Sequence, residues 1–170
     1  MAITFSVLTG GARTEDYIAA GKMAEAYFRS ASDPEQLAGN QITIEMVTQT
    51  FPLSANIIKD NETVIGSTFI LPCDQYGMKS FISGQTNERE LFSHIISHAR
   101  DASECLYLVS AYILGPHRGR GIATQAVIEH INAYMVPLPH PILFAWPWSD
   151  EGSMLAQRIR AKTGLEMHLR

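Results

Sequence analysis

The stretch that decides the fold is GPHRGRGIA, residues 115–123. It joins the most strand-like run of the sequence, 104–114, to a segment with helical spacing of apolar residues over 122–135. Glycines let a backbone approach a ligand closely, and the first turn of a helix presents amides at a positive dipole end. Because Arg118 and Arg120 add positive charge beside those amides, this stretch predicts a binding site for a phosphate-bearing ligand.

Two common phosphate-binding motifs do not fit the spacing of this loop. A dinucleotide fingerprint beginning at Gly119 requires Gly or Ala where Thr124 stands. A Walker loop beginning at Gly115 requires Gly-Lys where Arg120 and Gly121 stand. A basic turn that needs its glycines for geometry alone stays open as an alternative, but the position between a strand and a helix favours a ligand site.

Composition places the chain among ordinary globular proteins. It has 170 residues, 46% of them hydrophobic and 18% charged, and this length predicts a single domain over 1–170. The net charge of −4 argues against broad binding to nucleic acid or to an anionic membrane. We expect no transmembrane span, no signal peptide and, with two cysteines and no disulfide framework, a reducing cytoplasm.

Local patterns predict alternating strands and helices on both sides of the loop. The clearest is an antiparallel hairpin of 55–59 and 63–71, joined by a short polar linker. Asn87 and Glu90 form the pattern of a capping box at the start of a helix over 88–100, after the turn formers of 72–86. The remaining predictions are strands at 3–8, 142–146 and 165–169 and helices at 14–30, 43–51 and 151–162.

The loop resembles the acetyl-coenzyme A loop of the GNAT family of N-acetyltransferases, whose pattern is Gln/Arg-x-x-Gly-x-Gly/Ala. Arg118, Gly121 and Ala123 match that pattern, and the order of elements from 55 to 165 is similar to the family's. The resemblance implies an α/β (α+β) fold, with a mixed, mostly antiparallel central sheet flanked by helices. It also implies a core strand that is splayed from its neighbour to admit a pantetheine arm. In a departure from the family, the segment 72–102 separates hairpin strands that usually join tightly, which predicts an inserted helix before the core strand.

The same resemblance implies acetyl-CoA (coenzyme A) as acyl donor and assigns residues to it. Arg118 is expected to position the loop, and Arg120 to face the phosphates or solvent. Ser153 stands where the family often has Asn, and either binds pantetheine or is an ordinary early helix residue. The other expected contacts are loop residues around the pyrophosphate and strand residues along the pantetheine arm: Gly119, Gly121, Ile122 and Ala123, and Tyr112, Ile113 and Leu114.

The sequence departs from the family at its catalytic positions. Tyr107 stands where many members carry a Glu as base, and the nearest carboxylate in sequence is Glu104. These two are the catalytic candidates, and neither is identified as the base. Arg160 stands where many members place a Tyr as acid, and a guanidinium stays charged at neutral pH.

Three other groups have a structural and a functional interpretation. His94 and His98 have the spacing of two metal ligands on one helix face, but no third ligand follows, so we expect no metal. Cys105 is expected to be a small buried hydrophobe. Trp146 and Trp148 either pack in the core or form a wall of an acceptor pocket.

The sequence therefore predicts an N-acetyltransferase that transfers an acetyl group from acetyl-CoA to an amine on a small molecule or a peptide. A catalytically silent acyl-CoA-binding sensor or regulatory module is the alternative, because the expected Glu and Tyr are missing. The family often adds a strand where this sequence stops, so an uncovered sheet edge predicts a homodimer.

Overall fold

The computed structural model describes residues 2–28 and 47–170. A six-stranded sheet in the order β1-β2-β3-β4-β5-β6 forms its centre. β1 to β4 are antiparallel neighbours, whereas β4, β5 and β6 run parallel. The expected mixed, mostly antiparallel sheet is thereby confirmed. The strands are β1 Ile3–Phe5, β2 Ala55–Asp60, β3 Thr63–Cys73, β4 Cys105–Ile113, β5 Ile142–Ala145 and β6 Met167–Leu169.

Helices flank the sheet on both faces, as expected. Residues 47–50 are also helical, and a 3-10 turn at Gly115–His117 follows β4. The helix after this turn, α5 at Ile122–Met135, has the bounds that the sequence predicts. The helices with fully described bounds are α1 Ser6–Thr9, α2 Thr14–Phe28, α3 Gln75–Ile82, α4 Glu88–Ser97, α5 Ile122–Met135 and α6 Asp150–Thr163.

Alternation along the strands divides the core between the two faces. On β4, Cys105 and Tyr107 pack with residues of α3 and α4, whereas Leu106 packs with residues of α5 and α6. On β2, Ile57 faces α2 and Ile58 faces α5. One face thus carries α2, α3 and α4, and the other carries α5 and α6.

The first predicted strand, 3–8, is wrong in its second half, because the strand ends at Phe5 and α1 follows. The hydroxyl of Ser6 is buried and accepts a hydrogen bond from the amide of Ile57 at 2.8 Å. This contact turns the chain out of the sheet, and Gly10 ends the helix in the left-handed conformation. Because this contact joins residues that are far apart in sequence, the alternation of residues 3–8 does not predict where the strand ends.

The stretch 72–86 holds a helix, α3, which the turn formers did not predict. Asp74 caps it by accepting a hydrogen bond from the amide of Gly77 at 2.7 Å, and Met78 and Phe81 bury its apolar face. The chain between β3 and β4 therefore contributes two helices instead of the one that was expected. The second, α4, begins at Glu88 with the predicted capping box.

Two predicted boundaries fall outside the described residues. They are the end of the first long helix at 30 and the start of the next helix at 43. The described parts of both segments are helical, over Thr14–Phe28 and over 47–50.

Candidate functional site

The central strand β4 extends beyond the end of its parallel neighbour β5, and the sheet opens between the two strands. β5 pairs with β4 from Cys105 opposite Ile142 to Leu108 opposite Ala145, while β4 continues to Ile113. The splayed core strand implied by the family resemblance is therefore present. Successive amides of a strand point to opposite edges. The amide of Leu114 donates to the carbonyl of Ile65 on β3, so the amides of Ala111 and Ile113 point to the other edge of β4, towards this opening.

A cavity of about 420 Å³ fills the β4–β5 opening and extends to both faces of the sheet. Its walls are mostly apolar and come from α2, β3, β4, α5, α6 and the segment after β5. Rings contribute much of this surface: Tyr17, Tyr27, Phe28, Phe69, Trp146 and Trp148. The charged side chains that line it are Glu25, Glu88, Glu151, Arg118 and Arg158.

The glycine loop brings the start of α5 to the mouth of this cavity. Gly121 is the N-cap of α5 with φ 75°, in the left-handed region that favours glycine. Arg118 donates from Nε to the carbonyl of Ile113 at 2.8 Å, and its guanidinium lies 5.0 Å above the ring of Tyr27. Arg118 therefore ties the loop to the end of β4 and to α2.

The structure brings only part of the expected cofactor-binding set to the cavity wall. The residues of this set that line it are Tyr112, Ile113, Arg118, Gly121 and Ala123. Those of the set that do not line it are Leu114, Gly119, Arg120, Ile122 and Ser153. Ile122 is the first residue of α5 and is buried in the core, and Ser153 donates its hydroxyl to the carbonyl of Ser149 at 3.2 Å.

Tyr112 connects β4 to α2. Its hydroxyl donates to the carbonyl of Ala20 at 2.8 Å, and its ring stacks on Tyr27 with centroids 6.1 Å apart. Burial raises the pKa of Tyr112 to about 12, so the phenol stays protonated. Tyr112 thus fixes one wall of the cavity.

Tyr107, a catalytic candidate, is buried behind the cavity wall. It is 2% exposed, and its ring packs against Phe81 and Phe144 at 5.2 and 4.8 Å between centroids. Its hydroxyl donates to Oε1 of Glu88 at 2.7 Å. Burial, and then the charge of Glu88, raise the pKa of Tyr107 well above its ordinary value, so the phenol stays protonated at neutral pH and donates a hydrogen bond to Glu88.

The other two catalytic positions named from the sequence lie away from the cavity. Glu104 is exposed at the opposite end of β4, where its backbone bonds Cys73 and Ile142. Arg160 is exposed on α6 and does not line the cavity, whereas Arg158 on the same helix does.

Sequence reasoning did not place Glu88 at the cavity. The capping box placed it at the first position of α4, but nothing local shows that α4 packs against β4 with this carboxylate at the cavity. Trp146 and Trp148 both line the cavity, which favours the acceptor-wall interpretation over simple core packing.

His94 pairs with a carboxylate. Its Nε2 lies 3.0 Å from each oxygen of Asp74, and its ring stacks on His98 with centroids 4.2 Å apart. The described residues contain no group of three or more His, Cys, Asp or Glu that could hold a metal.

Cys105 is buried in the core opposite Cys73. Burial raises the pKa of each thiol to about 12, so both stay protonated.

None of the helices in the described part of the chain is long and apolar enough to cross a membrane.

Comparisons with known proteins identify the fold and give no sequence relative. No protein-family model and no curated protein matches the chain in sequence. The ribosomal-protein-alanine N-acetyltransferase from Brucella melitensis biovar Abortus 2308 is similar in structure, with a TM-score of 0.57 at 12% sequence identity. The match covers 94% of this chain and 91% of that one. The chain therefore has the fold of that N-acetyltransferase, as the glycine loop predicted.

Proposed function

We propose that this protein belongs to the GNAT family and is an acyl-coenzyme A-dependent N-acetyltransferase that acetylates an amine. The observation that carries the proposal is the β4–β5 opening, with the glycine loop and the N-terminus of α5 at its mouth. An extended thiol ester with a phosphate-bearing end fits this combination of a strand edge and an anion site.

The residues present fit acetyl-CoA as the acyl donor. A Cβ at Gly121 would meet no atom within 4 Å, so the side towards the ligand is open, and Arg118 supplies positive charge there. Along β4, the outward amides of Ala111 and Ile113 offer backbone hydrogen bonds to an extended arm.

Acetyl-CoA supplies an activated acetyl group, and this chain's residues bind and orient the reactants. A strand amide at the opening, from Ala111 or Ile113, donates a hydrogen bond where negative charge develops on the acyl oxygen. The apolar walls exclude water, which strengthens that hydrogen bond and limits hydrolysis. The amine approaches from the face of the sheet that carries α3 and α4, where Trp146 packs and forms part of the cavity wall.

The first test combines ligand binding with thiol release. Wild-type protein is expected to bind coenzyme A in calorimetry and to release thiol from acetyl-CoA with members of a panel of primary amines and peptide N-termini. Gly121→Glu adds bulk and negative charge at a left-handed position beside the pyrophosphate site, so we expect affinity to fall by about 100-fold.

Gly10→Glu is the matched control for this test. Gly10 also has a positive φ, 85°, and does not line the cavity, so the variant is expected to share any backbone strain and to keep its affinity. Equal affinity of folded Gly121→Glu and wild type would contradict the assignment of the loop.

The alternative function is a silent acyl-CoA-binding module. Two observations favour it: Tyr107 replaces the family's Glu, and Arg160 does not line the cavity. Calorimetric binding of coenzyme A without thiol release for any amine would support this alternative and contradict the enzyme.

A further inference from the structure

Glu88 is a carboxylate held at the cavity wall in an apolar setting. It is the first residue of α4, is 8% exposed and lines the cavity. Isolated carboxylates are rarely buried, because burial costs several kcal/mol unless donors compensate for lost water. The position of Glu88 therefore requires specific support.

Two features of the fold supply that support. The hydroxyl of Tyr107 donates to Oε1 of Glu88 at 2.7 Å. Glu88 also lies in the first turn of α4, where the helix dipole favours negative charge. The start of α4 is fixed in turn by the capping box, in which Asn87 and Glu90 exchange hydrogen bonds of 2.8 and 2.9 Å.

A positive side chain also lies behind this region. Arg170 donates to the carbonyl of Thr86 at 2.8 Å and lies over the rings of Phe81 and Trp146 at 4.6 and 4.5 Å. Its charge acts on Tyr107, where it opposes the rise in the pKa of the phenol. Two titratable or charged groups thus approach Glu88: Tyr107 from β4, and Arg170, which follows β6.

An amine acceptor needs a group of this kind. Primary amines of the lysine type are protonated at neutral pH, with an ordinary pKa of about 10.4, and the cationic form cannot attack an acyl carbon. A cavity with mostly apolar walls also disfavours a cation that has no counter-charge. A carboxylate on the wall answers both needs, since it attracts the ammonium and accepts its proton.

We propose that Glu88 binds the acceptor's ammonium group and takes its proton, and that Tyr107 is the positioning residue that holds Glu88 in place. This proposal rests on the N-acetyltransferase function proposed above. The family resemblance implies a Glu as base at the strand position of Tyr107. In this proposal the base comes instead from α4, in the inserted segment, and Tyr107 holds it by a hydrogen bond.

Protons and electrons balance in this acetyl transfer without a further reactant. The ammonium gives one proton to a Glu88 oxygen, which passes it to solvent, and the neutral nitrogen then uses its lone pair to form the N–C bond. The C–S bond breaks with its electron pair on sulfur. The nitrogen loses its second proton as the amide forms, and that proton neutralises the thiolate.

The decisive variant is Glu88→Gln, which keeps the side chain's shape and an acceptor for Tyr107 while removing the charge. We expect kcat/KM for the amine to fall by at least about 100-fold, the usual effect of losing a general base, with unchanged calorimetric affinity for coenzyme A. Glu62→Gln is the matched control. It removes the same charge from a side chain that is 87% exposed and does not line the cavity, so turnover should stay within about two-fold of wild type.

Tyr107→Phe tests the positioning role. It leaves Glu88 ionisable but removes a hydrogen bond that favours the charged form, so the ascending limb of the pH–rate profile should move to higher pH. A merely structural loss would lower the rate without moving this limb. Glu88→Asp guards against misfolding of the Gln variant, because it retains the charge but withdraws it by one methylene, and kcat should fall while coenzyme A binding persists.

The outcomes separate this proposal from the one on which it rests. Amine turnover by Glu88→Gln or Glu88→Asp close to wild type, or an equal loss in Glu62→Gln, overturns the role of Glu88 and leaves the enzyme function standing. Wild-type protein that binds no coenzyme A, or binds it and acetylates no amine in the panel, overturns both.

Discussion

At the scale of single residues, His130 shows how the fold fixes a protonation state. The side chain is fully buried on α5, where Nε2 donates to the carbonyl of Leu53 and Nδ1 accepts from the hydroxyl of Thr68 at 2.7 Å. Burial lowers the pKa of His130 from 6.5 to about 4, although the bond to Leu53 opposes the shift. The ring is therefore neutral in the folded protein and orients a hydroxyl, that of Thr68, which belongs to the cavity wall.

This buried histidine predicts acid destabilisation in a defined window. As the pH falls below about 6.5, the unfolded chain binds a proton at His130 and the folded chain does not, so stability is lost progressively down to about pH 4. Between pH 7 and pH 5 the loss from this group should be about 2 kcal/mol in urea unfolding.

The control for that experiment removes the titrating group itself. His130→Gln should flatten the pH dependence, whatever its effect on stability at pH 7. Equal slopes in wild type and His130→Gln would contradict the assignment.

Residues also differ in how far the sequence could predict their roles. The loop at Arg118 and Gly121 was predictable because its chemistry lies in adjacent residues and a helix start. The environments of Glu88 and His130 were not predictable, since each is buried by elements from elsewhere in the chain. Glu88 is buried against β4, and His130 is buried against β3 and Leu53.

At the scale of elements, α2 is fastened to the sheet by a buried ion pair. Lys59 of β2 lies 2.6 Å from Oδ2 of Asp16, which also accepts from Nε of Arg13 at 3.4 Å. Burial would raise the pKa of Asp16, but hydrogen bonds from Lys59 and Arg13 outweigh it and hold the pKa below 3.8. Because α2 forms one wall of the cavity, this pair positions the candidate site as well as the helix.

Asp16→Asn is expected to destabilise the protein by about 3 kcal/mol, because it leaves the ammonium of Lys59, only 16% exposed, without its counter-charge. Chemical denaturation at pH 7 measures this. Since the carboxyl's pKa is lower in the folded protein, its contribution is present above about pH 3.8 and is lost as the pH falls further, so the two proteins should converge in strong acid.

Glu62→Gln provides the comparison for Asp16→Asn. Glu62 pairs with Arg13 at 3.8 Å, but its side chain is 87% exposed, so its loss should cost less than about 0.5 kcal/mol. If the two variants are equally stable, the pair at Asp16 does not hold α2.

Elements with local signals were predicted well, and those that depend on tertiary contacts were not. The hairpin of β2 and β3 and the start of α4 follow from alternation and from a capping box, and their predicted positions are confirmed. α1 depends on a hydrogen bond that the hydroxyl of Ser6 accepts from the amide of Ile57 on β2, and α3 depends on burial of Met78 and Phe81 against β4, so neither follows from turn residues alone.

At the scale of the whole molecule, the cavity is a product of topology. α2 and β4 line it from one face, α5 and α6 from the other, and these elements are far apart in sequence. A single loop could therefore predict the donor end, while the acceptor end depends on packing that no local pattern encodes. The expected homodimer and the single domain over 1–170 stay predictions.

This topology leads to a last prediction about the response of the molecule to coenzyme A. A ligand that binds the folded state alone stabilises it by RT ln(1 + [L]/Kd), which is about 2.7 kcal/mol at a hundred times Kd. Because the ligand would bridge elements from both faces, hydrogen exchange should slow in two places together. One is the end of β4 that pairs with β3 but not with β5, at Ala111 and Ile113, and the other is the first turn of α5. With affinity lowered about 100-fold, Gly121→Glu should keep only about 0.4 kcal/mol of this stabilisation at the same concentration, and its exchange should slow at most about two-fold. Slowed exchange confined to α6, or a thermal shift in Gly121→Glu as large as that of wild type, would place the ligand elsewhere, since neither outcome is compatible with binding between β4 and β5.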